Sequence, residues 1–449
     1  MNKIKINYHE NPCIYGNVLK DFEWFILLDS CHDKGNFGRY SILSCNPTIK
    51  IISHQNKISV TEGDNRSLVI DKPLEIIKKY FRNRVADHTS ELPFNSGYMG
   101  YFGYDAFSEE DLYSAGSFPD IAVGLYEWAI IVDHRNKITW LTFQEENTFI
   151  SNLIDIFKSS EYLSKSNSSY VFSNLKQITP KEKYIDDIKK IKKYISDGDC
   201  YQVNYSQNFK LDFTGDSWDL YKNLRNINPA PYSSYFNFGD KYLLSCSPER
   251  FISIKDNIVE TKPIKGTLKR LSDRKLDEKQ KEILRKDEKN LSENLMIVDL
   301  LRNDLSKCCD LNTVKVNKLF DIESFASVHH MVSTINGKLR HNISSIDLLA
   351  SCFPGGSITG APKKRSMEII KELEKRPREV YCGSIGYFDL NNDMDTNICI
   401  RTIMICDNEL YFAAGGGIVY DSDPEEEYLE SLEKVSIFLK YFSNGSFKW

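Results

Sequence analysis

Tyr126-Glu127-Trp128-Ala129-Ile130-Ile131-Val132 and Lys137-Ile138-Thr139-Trp140-Leu141-Thr142-Phe143 flank the polar segment Asp133-His134-Arg135-Asn136. Two apolar, β-prone runs on either side of a short polar segment read as a hairpin, and so as antiparallel strands. Working outward, Ile49–Ser53 and Lys57–Val60 are shorter strand-like runs. Gly97, Gly100 and Gly103 punctuate Gly97–Asp105, a spacing that suits close backbone approach or bends better than a helix interior. Residues 1–160 therefore read as a β-rich region. A polar stretch, Ser159–Thr179, carries Ser159, Ser160, Ser164, Ser166, Ser168, Ser169 and Ser173 and marks a boundary, with 161–179 as a connecting segment.

Residues 180–449 alternate helices and strands. Pro180 opens an expected helix over Lys181–Ser196, ended by Gly198. Strands are expected at Tyr201–Leu211, Tyr242–Cys246, Val380–Asp389, Asn397–Cys406 and Glu409–Ala414. Helices are expected over about Asp273–Leu301, Pro362–Lys375 and Pro424–Tyr441. Strands followed by hairpin-like turns, with helices to one side, predict an α+β protein built on antiparallel sheets.

The chain has 449 residues, longer than the ~250–300 at which one core stops growing, so two lobes are expected. Its 58 Lys+Arg against 63 Asp+Glu leave no basic footprint, which argues against nucleic-acid binding. No apolar run approaches the ~20 residues of a membrane span, and the N-terminus has no apolar signal region. The eleven cysteines include no C-x-x-C pair and fit a reducing cytoplasm as buried small side chains. No metal-type histidine spacing surrounds His329-His330, which disfavours a zinc hydrolase.

Several residues carry chemical potential. Glu249, in Ser247-Pro248-Glu249-Arg250-Phe251, follows an apolar strand and is a candidate general acid, or else an ion-pair partner of Arg250. Lys265 lies in Pro263-Ile264-Lys265-Gly266; in a closed pocket it could act as a nucleophile, on the surface it is a loop lysine. Glu293 and Asp299 flank or interrupt Leu295–Leu301, which is apolar nearly all round and so expected to be buried. Asp423 is a plausible N-cap before Pro424. Tyr428, Leu432, Val435 and Leu439 form an apolar stripe, while Glu427, Glu430 and Lys434 share another face that could equally be solvated. Gly415, Gly416 and Gly417 after a strand could offer amides to an anion. Phe353–Lys363 is a glycine turn before a helix, and it is not a P-loop.

In their order along the chain, these motifs resemble the chorismate-utilising enzymes. The resemblance runs from Gly198–Asn204 through the Ser247–Phe251, Pro263–Thr267, Glu293–Asp304, Val328–Ile335, Gly355–Ile370 and Cys382–Asp389 stretches, then Ile400–Thr402 and Gly415–Val419, to Glu427, Glu430 and Lys434. It covers about 180–440, with a looser match at Gly97–Asp105. It implies the anthranilate synthase component I-like fold: antiparallel sheets packed face to face, helices outside, two interwoven lobes. Gln202 stands where water-activating members carry lysine, which implies ammonia as nucleophile. Lys265 stands where anthranilate synthases typically carry alanine and aminodeoxychorismate synthases a nucleophilic lysine. The resemblance is therefore strongest to the aminodeoxychorismate synthase component I branch of para-aminobenzoate and folate biosynthesis, with anthranilate synthase component I as the alternative.

The resemblance implies the following roles. Mg²⁺ would be held by Glu293 and Glu430, with Glu427 nearby or through water. Tyr387, Arg401, Lys434 and the Gly415–Gly417 amides would position chorismate carboxylates, with hydrogen bonds from Ser357 and Thr359. Glu249 would protonate the leaving hydroxyl, Lys265 would form a covalent adduct, and His330 would orient the ring. Asn290 departs from relatives that carry an acid three residues before Glu293. Phe25–Ser30 resembles a tryptophan-binding segment, which implies a site near Leu28–Ser30. No cysteine sits in a G-x-C-x-G elbow, so ammonia is expected from a separate glutamine amidotransferase. A non-enzymatic binding protein of the same fold is the reading from a different class.

Overall fold

The computed structural model describes residues 1–31, 38–55, 57–82, 91–108, 116–159, 169–325 and 328–445. Part of the polar segment 161–179, together with Ala326 and Ser327, lies outside the described residues. Among the described residues two 12-stranded sheets dominate, each a path of eleven strands with one more paired beside it: Gly360–Ala361 on Gln202–Gly215 in the first and Lys315–Ser324 on Val328–Lys338 in the second. The first runs, in spatial order, through Asn2–Ile6, Ile138–Phe143, Trp128–Asp133, Tyr40–Ser44, Ile26–Asp29, Tyr232–Asn237, Tyr242–Ser247, Thr402–Cys406, Glu409–Ile418, Gln202–Gly215 and Tyr170–Gln177. The second runs through Ile264–Lys269, Val328–Lys338, Ile258–Thr261, Arg250–Lys255, Met394–Asn397, Ser384–Asp389, Gly97–Phe102, Ile121–Tyr126, Ile49–His54, Lys57–Glu62 and Asn65–Ile70. Each sheet takes strands from both halves of the chain.

Alternation along the strands builds the layers. On Trp128–Asp133, Trp128, Ile130 and Val132 join a core that includes Tyr184, Ile188, Trp218, Leu432 and Phe438 from the helices. Ala129 and Ile131 face the other way, into a core shared with Met99, Tyr101, Ala122 and Ile385 of the second sheet. The second sheet's outer face packs on Ile297, Val298, Leu301, Leu348 and Leu349. The order is thus helices, sheet, sheet, helices: the α+β arrangement expected.

The opening hairpin forms as Trp128–Asp133 against Ile138–Phe143, with Phe143 opposite Trp128. Asp133 closes it by accepting from the Arg135 and Asn136 amides, each at 3.1 Å. Tyr126 does not belong to that strand. It ends Ile121–Tyr126 in the second sheet, so Glu127 is where the chain crosses between sheets. At Gly97 and Gly100 an added Cβ would lie 2.1 Å from Phe388 O and Ala122 O, the close approach that the glycine spacing suggested.

Three helix expectations need correction. Asp273–Leu301 is two helices, Arg274–Arg285 and Glu288–Ser306, because the Asp287 side chain caps the second by accepting from Asn290 N. Leu295–Leu301 is not buried all round: Leu295 is exposed and Asp299 pairs at the surface with Arg302 at 2.9 Å, while Ile297, Val298 and Leu301 face the core. The C-terminal helix breaks at Val435 into Pro424–Lys434 and Ser436–Phe442, although the Asp423 cap and the buried Tyr428, Leu432, Val435, Leu439 stripe are as expected. Lys181–Ser196 is a helix as read. All eleven cysteines are buried and free. Among the described residues no helix is long and apolar enough to cross a membrane.

Candidate active site

The chain crosses between sheets twice at neighbouring points, and each crossing delivers a functional side chain. Glu249 lies between Tyr242–Ser247 of the first sheet and Arg250–Lys255 of the second. Arg401 lies between Met394–Asn397 and Thr402–Cys406, with φ 51°. The crossings are tied together: Ser247 Oγ donates to Ile398 O at 2.6 Å, and Ile398 N donates to Glu249 O at 3.0 Å. Arg250 is committed to Asp395 and Glu260, so it does not neutralise Glu249. Buried, with Ser357 Oγ donating at 3.1 Å, Glu249 is pushed up to about 7 by desolvation, against the opposing fields of Lys265 and Lys434. A carboxylic acid that keeps its proton near neutrality suits general-acid work.

Lys265 owes its direction to a bulge. The register of Ile264–Lys269 against Val328–Lys338 slips between Lys265 and Thr267. Gly266 takes φ +75°, and a Cβ there would lie 2.8 Å from Leu284 Cδ1. Glycine is therefore required for both conformation and space. Lys265 Nζ comes 3.6 Å from Glu293 Oε2, and both side chains are nearly buried. Thr267 Oγ1 sits 2.7 Å from His330 Nδ1. Burial, with Arg401 and His329 adding repulsion, pushes His330 down to about 4, so its imidazole is neutral at pH 7. His329 instead bridges Ser324 and Asp277 and serves the scaffold.

Two helices present the acids. Glu293 comes from Glu288–Ser306; Glu427 and Glu430 come from Pro424–Lys434. Each is matched to a lysine: Glu293 to Lys265, Glu427 to Lys289 at 3.3 Å, and Glu430 to Lys434 at 2.7 Å. Glu427 is buried and also accepts from Ser422 Oγ at 2.6 Å. Lys434 lowers the Glu430 carboxyl against the opposing effect of burial. These carboxylates are hard oxygen donors of the kind Mg²⁺ takes. Among the described residues no three His, Cys, Asp or Glu groups are drawn together tightly enough to ligate an ion as they stand.

Gly415, Gly416 and Gly417 are not a turn beyond a strand. They lie inside Glu409–Ile418, paired with Ser206, Tyr205 and Asn204. Gly416 faces the acids, where an added Cβ would lie 3.2 Å from Glu427 Oε2 and 3.3 Å from Lys434 Nζ. Lys434 Nζ donates to Gly415 O at 3.2 Å. On the opposite face, a Cβ at Gly417 would meet Gln202 Nε2 at 2.8 Å. The Gln202 amide is fully buried, and neither of its polar atoms has a hydrogen-bond partner among the described residues. Thr359 Oγ1 turns back onto its own turn, donating to Gly355 O at 2.9 Å.

Tyr387 stands apart from this group. Its ring meets Phe94, and it lines a cavity of about 300 Å³ with Leu28, Asp29, Ser30, Tyr40 and Asn397. That cavity is where the sequence reading put a tryptophan site.

Sequence reasoning missed Lys289 and a buried clamp. Lys289 is four residues before Glu293, and that i, i+4 spacing was the available signal. Arg378 donates to Ile358 O at 2.8 Å and Asn204 O at 2.9 Å while pairing with Glu374. Glu374 accepts from Ser206 N at 2.9 Å. The pair fixes the glycine turn against the strand that bears Gln202.

Known proteins share this architecture. The chain is 38% identical to "Aminodeoxychorismate synthase component 1" of Escherichia coli (strain K12), over 95% of both chains. It is 34% identical to "Anthranilate synthase component 1" of Bacillus subtilis (strain 168), covering 94% of this chain and 87% of that one. The solved anthranilate synthase component I of Streptococcus pneumoniae TIGR4 superposes with a TM-score of 0.79 at 29% identity, over 92% of this chain and 94% of that one. The family model described as chorismate binding enzyme matches residues 26–440, and with these relatives it shows that the chain belongs to the chorismate-binding enzymes.

Proposed function

We propose that this chorismate-utilising enzyme is an aminodeoxychorismate synthase component I, forming 4-amino-4-deoxychorismate from chorismate and ammonia for para-aminobenzoate and folate. The observation that carries the reading is the pairing of an aimed lysine with a buried acid. Lys265 stands within 3.6 Å of Glu293, and its field reaches Glu249, whose carboxyl is pushed up to about 7.

At neutral pH much of Glu249 carries a proton, which it gives to the C4 hydroxyl as that group leaves as water. Lys265, once its ammonium group has given a proton to solvent, attacks C2, and both ring double bonds move one position toward C4 as the C4–O bond breaks. Ammonia then attacks C4, both double bonds return, the C–N bond to Lys265 breaks, and the new ammonium group gives a proton back to Glu249. The pyruvyl ether is untouched. Glu293 and Glu430, with Glu427 beside them, would hold Mg²⁺, which supplies positive charge for the substrate's ring carboxylate. Lys434 and Arg401 are the cations for substrate carboxylates, Ser357 steadies Glu249, and neutral His330 orients the ring through hydrogen bonding. Gln202 offers a neutral amide where a base would activate water, which favours ammonia.

The chemistry sits in 180–449, with 1–160 and the strand Tyr170–Gln177 completing the two sheets. Ammonia comes from a separate glutaminase subunit, and the cavity beside Leu28–Ser30 holds tryptophan. The second reading, anthranilate synthase component I, draws on the 34% identical relative. Lys265→Ala tests the mechanism: chorismate binding survives, the covalent adduct is lost and amination falls. Wild-type amination kinetics in that variant, with no adduct seen in the parent protein, would overturn it.

A further inference from the structure

Three glutamates and three lysines meet in the site as three ion pairs: Glu293 with Lys265, Glu427 with Lys289, and Glu430 with Lys434. With each glutamate matched to a lysine, the cluster by itself is neutral. A cation entering alone must displace an ammonium group, and an anion entering alone must displace a carboxylate. Either event strands a partly buried charge, which is costly.

The three lysines are not equivalent. Lys265 is nearly buried and aimed by the bulge at Gly266. Lys434 is also anchored to Gly415 O. Lys289 is 50% exposed on a flexible stem, while its partner Glu427 is only 4% exposed. When a divalent cation takes Glu427, an ammonium group at 3.3 Å from that carboxylate is repelled and can swing away. Glu427 stays in place because Ser422 Oγ donates at 2.6 Å to Oε1, the same oxygen that Lys289 meets, and so holds it when Lys289 leaves.

We infer that Lys289 is a removable counter-ion, which neutralises Glu427 before ligands bind and passes to a substrate carboxylate when a divalent cation takes Glu427. The inference rests on the proposed function, since it requires a dianionic substrate and a divalent cation in one site. It makes the two ligands cooperative, and by linkage each raises the other's affinity by the same factor. Lys289 acts here as a positioning residue for charge, separate from the attack by Lys265.

The test is a titration of the full-length protein with Mn²⁺, read by electron paramagnetic resonance of the free ion. It is run with and without chorismate and without ammonium. In Lys289→Gln, Mn²⁺ alone binds more tightly, because a competing cation is gone. The enhancement of Mn²⁺ affinity by chorismate shrinks about fivefold relative to wild type, within the usual span of such couplings. Lys289→Arg keeps the charge and stays close to wild type. Unchanged Mn²⁺ affinity in Lys289→Gln, or an undiminished enhancement, would overturn the inference alone. Absence of chorismate binding by the wild type would overturn the proposed function as well.

Discussion

Replacing Glu249 by Gln should stabilise the protein in alkaline solution while destroying its chemistry. Burial lifts the Glu249 carboxyl from 4.5 to about 7. The folded protein thus binds this proton more tightly than the unfolded chain does. The resulting stability is fully present below 4.5, and it is lost as pH rises through the unfolded and then the folded value. The gap between 4.5 and about 7, at ~1.36 kcal/mol per pH unit, makes the buried carboxylate cost about 3 kcal/mol above pH ~8. Gln keeps the shape and cannot ionise. Unfolding in urea at about pH 5 and about pH 8.5 should show the variant gaining on wild type by up to ~3 kcal/mol across that interval. Amination should fall by about 10²–10⁴-fold, the usual worth of a general acid. A stability difference independent of pH would refute the argument that Glu249 is held as a buried, protonated acid.

Ser357→Ala removes a donor that favours ionised Glu249, so the alkaline limb of the pH–rate profile should move up by about half to one pH unit; an unmoved limb would contradict the contact. Gly266→Ala forces a Cβ into φ +75° beside Leu284 and should cost about 1–3 kcal/mol in unfolding measurements, with a loss of rate as Lys265 is misdirected. The purified chain should turn over chorismate with ammonium salts and not with glutamine, and glutamine-dependent turnover by this chain would disprove the separate glutaminase.

The hairpin at Trp128–Phe143 was legible because the turn chemistry of Asp133 is local. The crossing at Glu127 was not, since alternation reports which face a residue takes and not which sheet its strand joins. The break at Asp287 was masked by a continuous charged run in which a cap looks like any other acid. Gly415–Gly417 resembled a turn because glycines carry no alternation to reveal a strand. At the site, Glu249, Lys265, Glu293, Glu430 and Lys434 were found from local motifs, and the structure brings them together. Lys289 and Arg378 were missed because their importance is relational: one is defined by Glu427 at a separation of 138 residues, the other by Asn204 at 174. Tyr387 was drawn to the site by its motif, yet its strand presents it to the second cavity.

Mass spectrometry of the product from chorismate, Mg²⁺ and an ammonium salt tests the central claim most directly. The account predicts 4-amino-4-deoxychorismate with its pyruvyl group intact and no pyruvate released. Anthranilate with stoichiometric pyruvate would contradict it.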